Sequence, residues 1–297
     1  MKRIVSLVLV ILLSCSLAPV SHAVQKKGRR PAPTTDEGEK PEVPEAFPAD
    51  ADLTTVPQVT AGSVIVIDVA TGQVLHEVNA DQPRPVASTQ KLLTALIVAE
   101  DGNLDEPVRV VASDTMAEPS KLYFKPGEVY PRHDLLQILL IHSMNDVARA
   151  VARDNAGSLE AFANKMNAKA AQLGMRNSHF VNPNGLPAPG QYSTARDMAR
   201  VAMHAYRNHF IRSVVCQKRI AWRYNDGRVR EFSTTNKVLK NYPLCNGMKT
   251  GYTEAAGHCL ISSASSNGRD IIVVALGDSK NIWLDSYRLL AWALAKG

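Results

Sequence analysis

Several features that would indicate other classes of protein are missing from this chain of 297 residues. No stretch after residue 23 approaches the roughly 18 consecutive apolar residues of a membrane-spanning helix, so none is expected in the mature protein. The histidines form no H-x-H or H-E-x-x-H pattern and the cysteines lack zinc-ligand spacing, so neither a metal nor another cofactor is predicted. The formal charge is +6, but no block of Lys and Arg is interleaved with aromatic residues, and nucleic acid is not an expected partner.

Cysteine is scarce, with four residues in the chain. Loss of the first 23 residues would leave Cys216, Cys245 and Cys259. An odd number in an exported protein permits one disulfide and leaves one thiol over, and the sequence does not choose the pair. Cys259 lies in an apolar run, where a small buried side chain is the simplest expectation.

The first 23 residues have the three parts of a secretory signal peptide. Two basic residues precede an apolar stretch over residues 4–13, and Ser21-His22-Ala23 is a plausible cleavage site. We therefore expect an extracytoplasmic protein, located in the periplasm or the cell-wall space. The sequence around Cys15 also resembles a lipoprotein signal, so a lipid attached to Cys15 is an alternative.

Residues 24–58 contain six prolines among charged and polar residues and few large apolar ones. Such a composition cannot offset the entropy of ordering, so we predict a flexible tether. The remaining residues, 59–297, are predicted to form one catalytic domain, with no β-rich second domain after it.

Hydrophobic patterning predicts an α+β fold for that domain. Strands are expected at 63–68, 73–78, 219–224, 228–233, 245–252, 257–266 and 269–276. Helices are expected from Ser88, at 132–141, from about 146, and at 159–173, 194–206 and 282–295. This order favours an antiparallel sheet flanked by a helical block, with the N-terminal hairpin joining the late strands.

Three short motifs occur in one order along the chain. They are Ser88-Thr89-Gln90-Lys91, Ser143-Met144-Asn145 and Lys249-Thr250-Gly251. A second S-x-N sequence begins at Ser265, but it runs into Asn267-Gly268, which predicts a hairpin turn. Asn246 to Thr250 superficially resembles a phosphate-binding loop, yet it lacks the glycines of that motif.

These residue types can perform acyl transfer. Ser88 and Lys91 would share a helix face, and a lysine made neutral by burial or by nearby positive charge could take the serine proton. The helix N-terminus would offer backbone N–H groups to an oxyanion. Taken alone, the S-x-x-K spacing would also fit a serine that caps a helix and a lysine on the surface.

The other two motifs supply binding groups. Ser143 could relay a proton to a leaving amine, and the amide of Asn145 could bond a peptide, although either residue could instead cap a helix. Lys249 and Thr250 would present a charge and a hydroxyl to a substrate carboxylate, and Gly251 would let a ligand backbone approach. An exposed strand lysine is the alternative for Lys249.

The order S-x-x-K, S-x-N, K-T-G resembles that of penicillin-binding proteins and serine β-lactamases. Further segments over about residues 60–297 make the chain similar to the D-alanyl-D-alanine carboxypeptidases, low-molecular-mass penicillin-binding proteins of serine peptidase family S11. These segments include Val64 to Asp68 with Thr71-Gly72, Pro85 to Ser88, His179 to Leu186, Ser193 to Asp197, Gly247 to Thr253, and Ala256-Gly257.

The resemblance implies a β-lactamase/transpeptidase-like fold and a role for each motif residue. Ser88 would be the acylated nucleophile and Lys91 its base, while Ser143, Asn145 and Lys249 would shape proton transfer and substrate binding. The backbone N–H groups of Ser88 and Tyr252 would form the oxyanion hole. The substrate would be a peptidoglycan stem pentapeptide, and β-lactams would be covalent inhibitors.

Two departures from the family pattern bear on function. Met144 stands where glycine is common, which could alter the cleft wall. The chain also stops soon after its last predicted helix, as in shorter relatives that are D,D-endopeptidases on peptidoglycan cross-links. Endopeptidase activity is therefore the first alternative. A β-lactamase is disfavoured because no deacylating-Glu loop follows Ser143, and a non-catalytic wall-binding module would not need Ser88, Lys91 and Lys249 together.

Overall fold

The computed structural model describes residue 47 and residues 53–296 of the chain. The predicted signal peptide, Cys15 and the tether up to residue 46 lie outside the described residues. Nine strands lie in the described part: β1 Ser63–Asp68, β2 Val74–Val78, β3 Pro107–Arg109, β4 Val129–Pro131, β5 Arg219–Arg223, β6 Val229–Ser233, β7 Cys245–Thr253, β8 Gly257–Ser266 and β9 Arg269–Leu276. The same part contains eight α-helices: α1 Lys91–Glu100, α2 Arg132–His142, α3 Asn145–Ala156, α4 Leu159–Gln172, α5 Ala195–Arg207, α6 His209–Val215, α7 Lys237–Asn241 and α8 Ile282–Ala295.

Five strands form one antiparallel sheet in the order β2-β1-β9-β8-β7. The β-branched run of β1 is buried along its whole length, as expected for a strand covered on both faces. β1 pairs with β9, so the N-terminal hairpin joins the late strands and the predicted arrangement is confirmed. The motif-bearing strand β7 lies at the edge of this sheet.

The second S-x-N sequence does form a hairpin turn. Asn267 and Gly268 have φ angles of 49° and 77°, the left-handed pair that a two-residue turn between β8 and β9 requires. Ser265 and Ser266 belong to β8, where Ser265 pairs with Asp270 on β9. This sequence therefore shapes the sheet rather than a cleft.

The sheet separates two apolar cores, because alternate side chains of each strand point to opposite faces. Ile65 and Ile67 of β1 contribute to the larger core, which lies between the sheet and the helical block α1–α6. Val64 and Val66 face the opposite way, into a smaller core against α8. The two faces match the prediction of a sheet covered by helices. No helix within residues 53–296 is long and apolar enough to cross a membrane.

The described end of the predicted tether packs onto the domain. The Phe47 ring stacks on Tyr287 of α8 with centroids 4.4 Å apart, and Leu53 and Val56 contact the smaller core. These few apolar residues find an aromatic surface on α8, so they bury area that composition alone did not assign to them. The residues from 53 onward therefore belong to the folded part of the chain.

The shortest elements were missing from the predictions. Strands β3 and β4 are three residues each, and α7 is a single turn of five residues. Segments of this length cannot display a period of two or of 3.6, so tertiary pairing decides them. Cys216, Cys245 and Cys259 are all free thiols, and Cys259 is buried as expected.

Candidate active site

The residue predicted to be the nucleophile, Ser88, lies in a 3₁₀ turn over Ala87–Gln90 that leads directly into α1. Its hydroxyl contacts Lys91 Nζ and Asn184 O rather than a backbone N–H of the helix, and the cap position belongs to Val86, so Ser88 is not an ordinary capping serine. Ala87 has a φ of 47°, a left-handed conformation that costs roughly 1–2 kcal/mol for a non-glycine residue. Strain of this kind is typical of residues that position a reactive group.

Lys91 lies one turn beyond Ser88, and the protein buries it completely. Its Nζ is 2.7 Å from Ser88 Oγ, 2.7 Å from Asn145 Oδ1 and 2.6 Å from the carbonyl oxygen of Asn184. The predicted i, i+3 geometry is therefore present, and a surface position for this lysine is excluded.

The surroundings of Lys91 favour its neutral form. Burial, followed by the charge of Lys249, lowers the pKa of Lys91 well below its ordinary value, while the nearby carboxylate of Asp146 opposes this shift. A neutral amine has two N–H donors and one lone pair. The donors fit the oxygens of Asn145 and Asn184, which leaves the lone pair for the hydroxyl proton of Ser88. In this geometry the neutral amine of Lys91 can therefore accept the proton of the Ser88 hydroxyl.

Ser143 ends α2 and turns the chain sharply toward α3. Its φ is 69°, again left-handed, and its backbone N–H donates to Leu139 O. Asn145 is the first residue of α3, and Met144 supplies the cap position without a side-chain hydrogen bond. Neither Ser143 nor Asn145 caps a helix with its side chain. Met144 lies in the larger core, so it does not form the cleft wall that its position in the motif suggested.

Asn145 joins Lys91 to the loop that precedes β4. Its Oδ1 accepts from Lys91, its Nδ2 donates to Pro119 O at 2.8 Å, and its backbone N–H donates to Ser120 O at 2.8 Å. Both polar atoms of this buried side chain thus have partners, which holds Lys91 in one orientation and leaves one N–H of the amide for a ligand.

Asp146 holds the same loop from the adjacent position. Its carboxylate accepts from the backbone N–H groups of Leu122 and Tyr123, both at 3.0 Å. Burial raises the pKa of Asp146, and these hydrogen bonds work against that rise. The carboxylate therefore anchors residues 122–123 beside the second motif.

Lys249 of β7 is also buried, with 1% of its surface exposed, so it is not the exposed strand lysine of the alternative reading. Its Nζ donates to Ser143 Oγ at 2.8 Å and to Thr250 O at 3.0 Å. Burial lowers the pKa of Lys249 to about 7. At neutral pH this amine can therefore carry either charge state, which suits a group that passes a proton or binds an anion.

The remaining residues of the third motif lie along the same strand. Thr250 Oγ1 is 2.5 Å from Thr235 Oγ1, so the two hydroxyls form a pair at the strand edge. A Cβ on Gly251 would lie 2.8 Å from Ser88 N and 3.0 Å from Thr89 N. The backbone that approaches Gly251 so closely is the turn that carries Ser88. Tyr252 follows, its ring 4.6 Å from that of His258.

The two hydroxyls and the two amines occupy different depths. Ser88 and Ser143 are half-buried and reach the surface of the cleft, whereas Lys91 and Lys249 lie fully buried behind them. Beside Ser88 is a mostly apolar hollow of about 290 Å³, bounded by residues 85–87, the loop 185–191 and the end of β7. A substrate would meet hydroxyls first, with the proton-accepting groups behind them.

Sequence reasoning missed the part played by Asn184. Its carbonyl oxygen accepts from Lys91 at 2.6 Å and lies 3.4 Å from Ser88 Oγ. The adjacent Gly185 has a φ of 84°, and a Cβ there would strike the carbonyl of Ala87. The available signal was Asn182-Pro183-Asn184-Gly185, which the family resemblance included but to which no role was given.

Comparisons with known proteins agree with this geometry. The model of the S11 peptidase family, described as D-alanyl-D-alanine carboxypeptidase, matches residues 50–280. The D-alanyl-D-alanine carboxypeptidase DacF of Bacillus subtilis (strain 168) is 31% identical over 284 residues, which cover 94% of this chain and 67% of that protein. The chain spans 61% of the carboxypeptidase DacA of Escherichia coli (strain K12), with 33% identity over 253 residues and 80% of this chain covered. A D-alanyl-D-alanine endopeptidase of the same strain is 32% identical over 262 residues, covering 85% of this chain and 84% of that protein.

A solved structure gives the same result for the fold. The D-alanyl-D-alanine carboxypeptidase of Mycobacterium tuberculosis H37Rv superposes with a TM-score of 0.78 at 31% identity, covering 84% of this chain and 96% of that one. These findings confirm the predicted family, the predicted penicillin-binding fold and the predicted enzyme class, a serine-type D-Ala-D-Ala carboxypeptidase. The chain belongs to the S11 family of D-alanyl-D-alanine carboxypeptidases.

Proposed function

We propose that this protein trims peptidoglycan stem pentapeptides, using Ser88 as the nucleophile of a D-Ala-D-Ala carboxypeptidase. The observation that carries the proposal is the contact of 2.7 Å between Ser88 Oγ and the buried amine of Lys91. A serine becomes a useful nucleophile only beside a base that can take its proton, and Lys91 is in position to do so.

The acylation step follows from the contacts around Ser88. Lys91 removes the hydroxyl proton as Ser88 Oγ bonds to the carbonyl carbon of the penultimate D-Ala. The backbone N–H groups of Ser88 and Tyr252 are the proposed donors to the oxyanion that forms there. Collapse of this intermediate breaks the peptide bond and releases the terminal D-Ala as its amine takes up a proton.

Ser143 and Lys249 are the proposed route for that proton. Their contact of 2.8 Å connects a half-buried hydroxyl to an amine that titrates near neutral pH. Thr250 and Lys249 would hold the terminal carboxylate, and Asn145 would bond the peptide in addition to fixing Lys91. Water then attacks the acyl-enzyme carbonyl and restores the Ser88 hydroxyl.

The same chemistry supports covalent inhibition by β-lactams. A β-lactam presents a strained amide and a carboxylate, the two groups that the substrate presents, so Ser88 should be acylated by it. We also propose that the mature protein acts outside the cytoplasm, because residues 1–23 have the pattern of a signal peptide and the substrate polymer lies there.

A D,D-endopeptidase is the second candidate, favoured by the relative of that name from Escherichia coli. Hydrolysis of a cross-link uses the same acyl-enzyme and differs only in what leaves. The two activities are distinguished by the leaving group that the cleft admits.

The test is to incubate the purified protein with a pentapeptide muropeptide monomer and with a cross-linked dimer, and to separate the products by chromatography. Release of D-Ala from the monomer alone supports the carboxypeptidase, whereas cleavage of the dimer moves the main activity to cross-links. Ser88→Ala should abolish both reactions, and Ser266→Ala, in the hairpin of the second S-x-N sequence, should abolish neither. Wild-type turnover by Ser88→Ala would refute the proposed nucleophile.

A further inference from the structure

A second groove, of about 480 Å³, lies beside the loop that Asn145 and Asp146 hold in place. It is bounded by that loop on one side and by the β5–β6 hairpin on the other, and its walls are Leu122, Tyr123, Tyr224, Arg228, Val229 and Arg230. Tyr123 and Val229 are 59% and 55% exposed, respectively, so the groove is open to solvent along its rim.

Arg230 gives the groove an uncompensated positive charge. Its guanidinium lies over the Phe232 ring, 4.6 Å from the centroid, and Tyr224 is its hydrogen-bond partner. Among the residues that the structure describes, no carboxylate is within ion-pair distance of Arg230. The guanidinium of Arg228, by contrast, is paired with Asp226 at 2.8 Å.

The carboxylate of Glu128, just before β4, is engaged elsewhere. Glu128 accepts from the backbone N–H of Lys125 at 2.8 Å and from the hydroxyl of Tyr130 at 2.9 Å. The groove therefore combines aromatic and apolar walls with a guanidinium that has no carboxylate partner among the described residues. A guanidinium is well suited to bind a carboxylate, because it offers a positive charge and several N–H donors in one plane.

Both sides of the groove contact residues next to the second motif. The Tyr224 hydroxyl donates to Leu122 O at 3.0 Å, and Leu122 is bonded in turn to Asp146. On the hairpin side, the Phe232 ring lies 5.0 Å from the ring of His142, the residue before Ser143.

The electrostatics extend the same connection. The pKa of His142 is lowered by burial and then by the charges of Arg230 and Lys249, against an opposing hydrogen bond to Ser233 O. The pKa of one imidazole is thus lowered by both cations, so the positive potential of the groove is continuous with that of the third motif.

We propose that this groove is a carboxylate subsite for the substrate peptide, in which Arg230 holds an acidic group on a residue that precedes the scissile D-Ala-D-Ala. The inference rests on the proposed function. Three extended residues span about 10 Å. The Phe232 ring lies between Arg230 and His142, 4.6 Å from the guanidinium and 5.0 Å from the imidazole, and His142 directly precedes Ser143. A peptide of about that length therefore suits the separation between the groove and the second motif. A stem peptide carries such a group on its D-glutamyl residue.

The test compares D-Ala release from three peptides. The first is a pentapeptide with a free α-carboxylate on its D-glutamyl residue, the second is the same peptide with that carboxylate amidated, and the third is an N-acylated tripeptide ending in D-Ala-D-Ala. Arg230→Gln should raise KM for the acidic pentapeptide about tenfold while kcat changes little, since a charged hydrogen-bonded contact is lost. The same variant should leave both constants unchanged for the tripeptide and for the amidated pentapeptide.

Arg223→Gln is the matched control. Arg223 is an exposed arginine on the same hairpin, paired across the strands with Val229, and it is not among the groove residues. It should behave as wild type on all three peptides. Arg230→Lys should recover part of the lost affinity for the acidic peptide, because the charge is retained without the planar fork.

Two results would overturn the subsite. One is an equal loss on all three peptides, which would mean that Arg230 supports the structure of the hairpin. The other is unchanged kinetics of Arg230→Gln on the acidic pentapeptide. A wild-type protein that released D-Ala from none of the peptides would instead refute the proposed function, and the subsite with it.

Discussion

Substitution of Gly251 by alanine tests the packing that the structure assigns to the third motif. The added Cβ would lie 2.8 Å from Ser88 N, 3.0 Å from Ala87 Cβ and 3.0 Å from Thr89 N, whereas ordinary contact begins near 3.4 Å. These neighbours belong to the short turn that carries the nucleophile, so none can rotate away as a flexible side chain would. The turn and strand β7 must therefore separate.

The required separation gives the size of the effect. A shift of about half an ångström removes the clash, and a misplacement of about 1 Å can cost roughly a hundredfold in rate, so acylation should slow by at least about tenfold. Overpacking of this kind costs about 1–3 kcal/mol of stability. At about 2–4 °C per kcal/mol for a domain of this size, the melting temperature should fall by roughly 2–12 °C.

The assay is the rate of covalent labelling by a fluorescent penicillin, with thermal unfolding measured on the same samples. Gly102→Ala is the control, since its Cβ would meet only the end of a flexible arginine side chain, at 3.3 Å. We expect Gly102→Ala to label at the wild-type rate. Wild-type labelling by Gly251→Ala would show that the close approach of β7 to the nucleophile does not limit the chemistry.

Two further predictions concern the charges of the buried lysines. Asn145→Asp would place a carboxylate about where Oδ1 now accepts from Lys91 at 2.7 Å, which should raise the pKa of Lys91. Because the base must be neutral, the rising limb of the acylation pH profile should move to higher pH by about one unit or more, and an unshifted limb would contradict the role of Lys91. Lys249, with its pKa lowered to about 7, loses its proton in the folded protein at a lower pH than in the unfolded chain, so its contribution to stability rises from pH 7 toward its ordinary pKa. Lys249→Met should remove up to about 2 kcal/mol of the gain in unfolding free energy between pH 7 and pH 9, as measured by urea titration, and an unchanged pH dependence would refute the shift.

Much of the fold followed from local sequence signals. The β-branched run Ser63–Asp68 can form little other than a buried strand, and its turn at Thr71-Gly72 fixes the hairpin with β2. The capping role of Thr194 is also local, since its side chain accepts from the backbone N–H of Asp197 within the same turn. Elements of ten or more residues display their period clearly, and the predicted boundaries of α4 and α8 agree with the structure within one residue.

The candidate site was predictable as a set of residues and not as an arrangement. The spacing of Ser88 and Lys91 determines that they meet, because three residues of helix bring them to one face. Nothing in the spacing places Asn184 beside Lys91, since 93 residues separate them along the chain. Nor could the sequence tell that the turn of Ser88 approaches Gly251, whose predicted contact with a ligand backbone stays a prediction.

The sequence by itself determined the family, the order of the longer elements and the residues proposed to react. These depend on short-range chemistry: periodicity, turn residues and functional groups that are present or absent whatever the fold. Only the tertiary structure decided that both lysines are buried behind their serines, that β7 packs against the nucleophile's turn, and that Arg230 faces a groove beside the second motif. Burial and electrostatic potential are sums over residues far apart in the chain, so they exist only once the chain has folded.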